Sequence, residues 1–185
     1  MTGPTVDRPL ASLLIVDAVK GPLAAVTRYL AELGAQVVRT VQPEGDPIEW
    51  AALNNGKAEQ GQANLDALLA SAHAIVFDRD FPFDPAALRQ ERSGLVTLAV
   101  SDFGKDTRFT DWQASDPVLH ALSGILSRSG IRGRAPLLPP GRLAYECAAT
   151  QAAFILATAT RCPPSMSASM LAASLPDTIN RPSSS

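Results

Sequence analysis

Leu13 to Pro47 constrains the fold more than any other stretch of this chain. LLIVDAVKGPLAAVTRYLAELGAQVVRTVQPEGDP opens with an apolar run, Leu13 to Val16, closed by Asp17, as expected of a strand buried on both faces. Leu23, Val26, Leu30 and Leu33 recur at helical spacing, Gly34 stops the helix, and Val37 and Val38 resume strand character. A right-handed return places the second strand parallel to the first. The unit ends at an acidic corner, Glu44-Gly45-Asp46-Pro47.

Alternation then continues. Ile48 to Gln62 reads as a polar connection carrying Asn54-Asn55-Gly56-Lys57, Asn64 to Ala70 as a short helix, and Ala74 to Phe77 as a strand. Pro85 to Gln90 is a helix that Pro85 can start, and Leu95 to Val100 a further strand. Helical patterns follow over Asp116 to Leu126 and Leu143 to Thr160, the second rich in alanine. This order predicts an α/β fold: a mostly parallel, Rossmann-like sheet with helices on both faces and ligands bound beyond the carboxyl ends of its strands. Those ends fall near Asp17, Gln42, Asp78 and Ser101.

With 185 residues, 46% of them apolar, one core and one domain over residues 1–160 are expected. Residues 161–185 turn to Ser and Pro and read as a poorly ordered tail, in which Met170 to Leu175 alone looks able to pack. A net charge of −2 offers no basic face for nucleic acid or an anionic membrane. No apolar run approaches a bilayer span, and the N-terminus lacks signal-peptide character, so the expected location is the cytoplasm. Cys147 and Cys162 are too few and too far apart for a zinc or redox motif, so no metal is expected and each reads as a small buried hydrophobe. A dinucleotide oxidoreductase is disfavoured, since the turn Asp17 to Pro22 holds one glycine and no GxGxxG.

The Gly-Pro before the first helix, Leu-Gly-Ala before the second strand and Pro-x-Gly-Asp-Pro after it resemble family III CoA-transferases, which include α-methylacyl-CoA racemase. Asn54 to Lys57 resembles the family's Asn-x-Gly-Lys, Ser101 to Gly104 its Ser-x-Phe-Gly, and Ala121 to Gly124 its Ala-Leu-Ser-Gly. The small-residue helix from Ala148 to Ala159 also fits, so the resemblance covers about residues 10 to 160.

The resemblance implies transfer of CoA from an acyl-CoA to a carboxylic acid. An aspartate attacks the thioester, and CoA thiolate returns to the resulting anhydride to give an aspartyl-CoA thioester. Aligned on the Ala-rich helix, the aspartate's position holds Tyr145, with Glu146 as the adjacent carboxylate that would have to substitute. Neighbours on a helix diverge by about 100°, which argues against Glu146. Tyr145 then reads as a partly buried aromatic with its hydroxyl near solvent. The racemases' histidine position holds Ser115, and His120 lies more than a turn beyond it as a surface or packing histidine.

For coenzyme A or acyl-CoA, a substrate here and no resident cofactor, the resemblance points to Gln42, Lys57, Asp78 and Arg79. Lys57 and Arg79 are candidate phosphate contacts or, alternatively, solvated surface charges, while Asp78 and Asp80 oppose a phosphorylated ligand. Family members are about twice as long and dimerise, so a partner subunit or a downstream region is expected to complete the fold; otherwise the sheet keeps an exposed edge. The chain thus reads as a CoA-transferase-like protein impaired in catalysis or, alternatively, as a non-catalytic subunit that binds CoA or a partner.

Overall fold

The computed structural model describes residues 8–60, 65–104 and 107–161. Five parallel strands form one sheet: β1 (Leu14–Ala18), β2 (Gln36–Arg39), β3 (Ala58–Glu59), β4 (Ala74–Phe77) and β5 (Val96–Ala99), in the order β3-β2-β1-β4-β5. Ile15 of the central β1 registers with Val37 on one side and Ala74 on the other. The chain builds outward from β1 through β2 and β3, then crosses back to start β4 on the opposite side. The order therefore reverses between β1 and β4, where open parallel sheets form a ligand crevice.

Strand alternation splits the core in two. Ile15, Val37, Ala74 and Val76 face one layer of buried residues, whereas Val16, Ala18, Ile75 and Phe77 face the other. The first layer is covered by α1 (Ala25–Glu32) and α6 (Leu143–Ala159), the second by α3 (Leu65–Ser71) and α4 (Pro85–Glu91). The α/β sheet with helices on both faces is thus as the sequence predicts.

Three elements differ from that reading. The polar connection at Ile48 to Gln62 contains a helix, α2 (Pro47–Leu53), and the short β3. The acidic corner starts the helix: the Asp46 carboxylate accepts from Ile48 N–H at 2.9 Å, and Pro47 occupies the first turn. β3 has only two residues, too few to show periodicity; Arg39 fastens it by pairing with Glu59 at 3.0 Å. The helix expected to reach Leu126 stops earlier, as α5 (Asp116–Leu122), because Gly124 takes a left-handed φ of 76° before a 3₁₀ turn over Ile125–Arg128. The Ser/Pro-rich tail lies, from residue 162, outside the described residues.

Candidate functional site

Asp17, at the carboxyl end of β1, has no solvent contact. It accepts from Val19 N–H at 3.0 Å, from the Thr27 hydroxyl at 2.7 Å and from Lys57 Nζ at 2.7 Å. Lys57 also donates to the Ala24 carbonyl at 2.8 Å and to Asn54 Oδ1 at 3.0 Å. An ammonium has three protons, and all three are used. The Lys57 side chain is fully enclosed, neither a phosphate contact on the surface nor a solvated charge. Burial pushes its pKa below the usual lysine range, and Asp17 opposes that shift.

Across the β1/β4 crevice, Lys20 links the two strand ends. Asp78, just past β4, accepts from Lys20 N–H at 2.8 Å and from Asp80 N–H at 3.0 Å. Lys20 Nζ lies 3.7 Å from Asp80 and 3.9 Å from Glu44. The rim beside Asp78 is therefore mainly acidic. Gln42 is exposed in the loop after β2. Arg79 is exposed and donates to the Thr110 carbonyl, tying the β4 loop to a segment where Phe103, Phe109 and Trp112 contact one another.

Tyr145 lies in the first turn of α6. Its side chain is buried, and its hydroxyl is 3.1 Å from the Ala114 carbonyl and 3.2 Å from Asp102 Oδ1. The hydroxyl is thus engaged in a hydrogen-bond network. Burial, then the Asp102 charge, pushes the phenol pKa up to about 12. Asp102, the second residue of the Ser-x-Phe-Gly segment, uses its other oxygen to accept from Ala114 N–H at 2.8 Å. No signal in sequence spacing marks Asp102, which is 43 residues from Tyr145.

Asp116 caps α6 from a distance. Its Oδ1 accepts from Ala144 N–H at 2.9 Å and Tyr145 N–H at 3.2 Å, replacing a cap that Arg142 does not supply. His120, one turn along α5, is buried with Nε2 at 2.8 Å from Asp116 Oδ2. Ser115 precedes α5 without a side-chain capping bond.

Glu146 faces elsewhere. Its carboxylate pairs with Arg28 at 3.0 Å and accepts from the Tyr29 hydroxyl, clasping α6 to α1. Cys147, expected to be buried, is exposed: Tyr145, Ala149, Ala153 and Leu156 form the inward face of α6 and leave Cys147 outward. Two concavities, a cleft of about 540 Å³ beside β2 and a groove of about 350 Å³ between α1 and α6, are lined by none of the residues predicted from sequence as site residues. Among the described residues no group of His, Cys, Asp and Glu has the arrangement of a metal site, and no helix is long and apolar enough to cross a membrane.

The model for CoA-transferase family III matches residues 55–162. A probable CoA-transferase of Mycobacterium tuberculosis is 36% identical over 160 residues, covering 72% of this chain and 20% of that protein. Human alpha-methylacyl-CoA racemase is 31% identical over 139 residues, covering 67% of this chain and 35% of that enzyme. The chain spans from 20% to 47% of the length of the curated relatives it matches. Among solved structures, a hypothetical protein of M. tuberculosis superposes with a TM-score of 0.65 at 19% identity, over 82% of this chain and 50% of that one. A CAIB/BAIF family protein of Brucella suis gives 0.61 at 21% identity, over 82% and 50%. These two likenesses establish the fold.

Proposed function

The chain belongs to CoA-transferase family III, and from that premise we propose that it is a CoA-transfer scaffold whose position for the acyl-accepting carboxylate is occupied by Tyr145, leaving this chain with little or no exchange activity of its own. The observation that carries this reading is the state of the Tyr145 hydroxyl. It is engaged with Asp102 and Ala114, and its pKa near 12 keeps it protonated at neutral pH.

A phenol cannot do the carboxylate's work. The exchange requires an acyl anhydride that CoA thiolate reopens at either carbonyl, with the enzyme's own carbonyl carrying CoA in the intermediate. Tyr145 has no such carbonyl in its side chain. Glu146 has one, but Arg28 and Tyr29 hold it on the α1 side of the helix, and catalysis tolerates little misplacement.

What remains for such a scaffold is binding. An acyl-CoA would meet the carboxyl edge of the sheet, where Gln42, Asp78 and Arg79 lie; Lys57 leaves that set because its donors are already used. A partner subunit carrying the missing carboxylate is the other ligand this reading admits.

The test is to incubate the purified chain with an acyl-CoA and a free carboxylic acid and to follow acyl-CoA formation on the acceptor, with Tyr145→Asp in parallel. The unmutated chain is expected to give no exchange, and CoA exchange by it would overturn the reading. Calorimetric titration with CoA separates a CoA binder from a scaffold that acts only on a partner.

A further inference from the structure

One stretch of the chain carries cations without anions. Residues 117–145 hold four arginines and no Asp or Glu, and Arg128, Arg132 and Arg134 are exposed and pair with no carboxylate among the described residues. The same stretch is apolar at its surface: Leu122, Ile125, Ile131, Leu137 and Leu138 are each between 47% and 65% exposed. It folds back on itself beyond α5, since the Leu137 N–H donates to the Ser129 carbonyl at 3.4 Å and the Ser129 hydroxyl donates to the Leu137 carbonyl. Single exposed apolar side chains are ordinary, but a contiguous group rimmed by charge marks an interaction surface.

The electrostatic complement of this lobe lies beside it. Residues 40–56 hold three carboxylates, Glu44, Asp46 and Glu49, and no Lys or Arg, and Ile48 among them is 81% exposed. Arg142, at the end of the lobe, donates to Glu49 at 2.7 Å, which sets the lobe against the first turn of α2. A basic apolar surface and an acidic apolar surface are therefore neighbours on one molecule. Such a face is self-complementary: a two-fold axis between the two surfaces lets each one meet its opposite on a second copy.

We propose that two copies of this chain associate reciprocally through this face, the lobe of each seated on the acidic corner at residues 44–48 of the other. Size agrees: residues 118–143 offer a side of about 25 residues, within the roughly 20–30 of a standard interface. Lobe against lobe would oppose like charges with no carboxylate between them. An anionic membrane is the weaker partner, because surface binding there uses a long amphipathic helix, whereas α5 ends after seven residues and Gly124 turns the chain. The corner follows β2 beside Gln42, so the contact brings a second copy's arginines to the carboxyl edge, where Asp78 and Asp80 otherwise leave the rim mainly acidic. The proposal does not depend on the reading of Tyr145.

Sedimentation equilibrium of the full chain is expected to show a dimer that dissociates on dilution. Arg132→Glu/Arg134→Glu turns the lobe acidic, and Glu44→Arg/Asp46→Asn turns the corner basic while the asparagine keeps the cap of α2. Each variant alone is expected to dimerise at least about tenfold more weakly than the parent. An equimolar mixture of the two is expected to recover the dimer, because both contacts then join opposite charges, an outcome that misfolding of either variant cannot imitate. A parent that stays monomeric, or a mixture no more associated than its components, would overturn the proposal. So would a Glu44→Arg/Asp46→Asn chain that dimerises like the parent, since that pairs lobe with lobe. A monomeric parent retained on phosphatidylserine vesicles through Arg132 and Arg134 would overturn it too, by assigning the lobe to a membrane.

Discussion

Lys57 Nζ sits 2.7 Å from Asp17 Oδ2 with neither side chain in contact with solvent. The pair joins the end of β1 to the segment leading into β3, and through the Ala24 carbonyl and Thr27 it also fixes the start of α1. Removing one partner strands the other as a buried charge. Lys57→Met is therefore expected to destabilise the chain by about 3–5 kcal/mol, whereas Asp17→Leu/Lys57→Met, which removes both charges, recovers much of the loss. Urea denaturation of the parent, the single variant and the double variant checks this. A single variant as stable as the parent would show that the pair does not hold the fold.

Asp116 performs for α6 what a residue adjacent in sequence normally does. Asp116→Ala leaves the Ala144 and Tyr145 N–H groups without their acceptor and is expected to cost about 1–2 kcal/mol. Asp116→Asn keeps an oxygen acceptor and loses the charge facing His120, so it falls between the parent and the alanine variant. Thermal denaturation of the three proteins gives the order.

What the sequence discloses and what it hides follow from range. β1, β2 and β4 are short apolar runs, and α1 is a spaced stripe, so each is visible within a dozen residues. The Asp-Pro start of α2 is also a local signal, and reading its surroundings as polar connection hid it. The partners of Lys57 are of another kind: Asn54 is three residues away, but Asp17 and Ala24 are 40 and 33 away. Only the crossover brings them together, and a lysine in a polar stretch otherwise reads as solvated. Tyr145 likewise draws its environment from Asp102 and Ala114, 43 and 31 residues distant. The backbone order was legible; the electrostatic partners, made by the sheet's return crossing, were not.

Glu146 is expected to act as a clasp between helices. Its contacts with Arg28 and Tyr29 are partly exposed, so Glu146→Ala should cost about 1–2 kcal/mol after solvent screening. A variant within a few tenths of the parent in urea denaturation would show that the clasp is idle.

The two tyrosines titrate abnormally for different reasons, and this gives the most direct spectroscopic check on the carboxyl edge. Tyr145 is raised to about 12 by burial and by Asp102. Tyr29 is raised chiefly by its hydrogen bond to Glu146, then by burial. An unfolded tyrosine ionises near pH 10. Between about pH 10 and 12 the folded chain thus keeps the Tyr145 proton that the unfolded chain has lost, so the stability this phenol contributes is complete below that window and falls as pH rises through it, with Tyr29 acting in the same direction. Native tyrosinate absorbance should lack the Tyr145 step near pH 10 and show the Tyr29 step displaced upward, whereas both residues should titrate near pH 10 in denaturant. Glu146→Gln is expected to bring the Tyr29 step back toward its ordinary position while leaving Tyr145 high, and Asp102→Asn to lower Tyr145 alone. A native titration with a full step at pH 10 in the parent would mean that the Tyr145 hydroxyl faces solvent, and the network through Asp102 and Ala114 would then not exist.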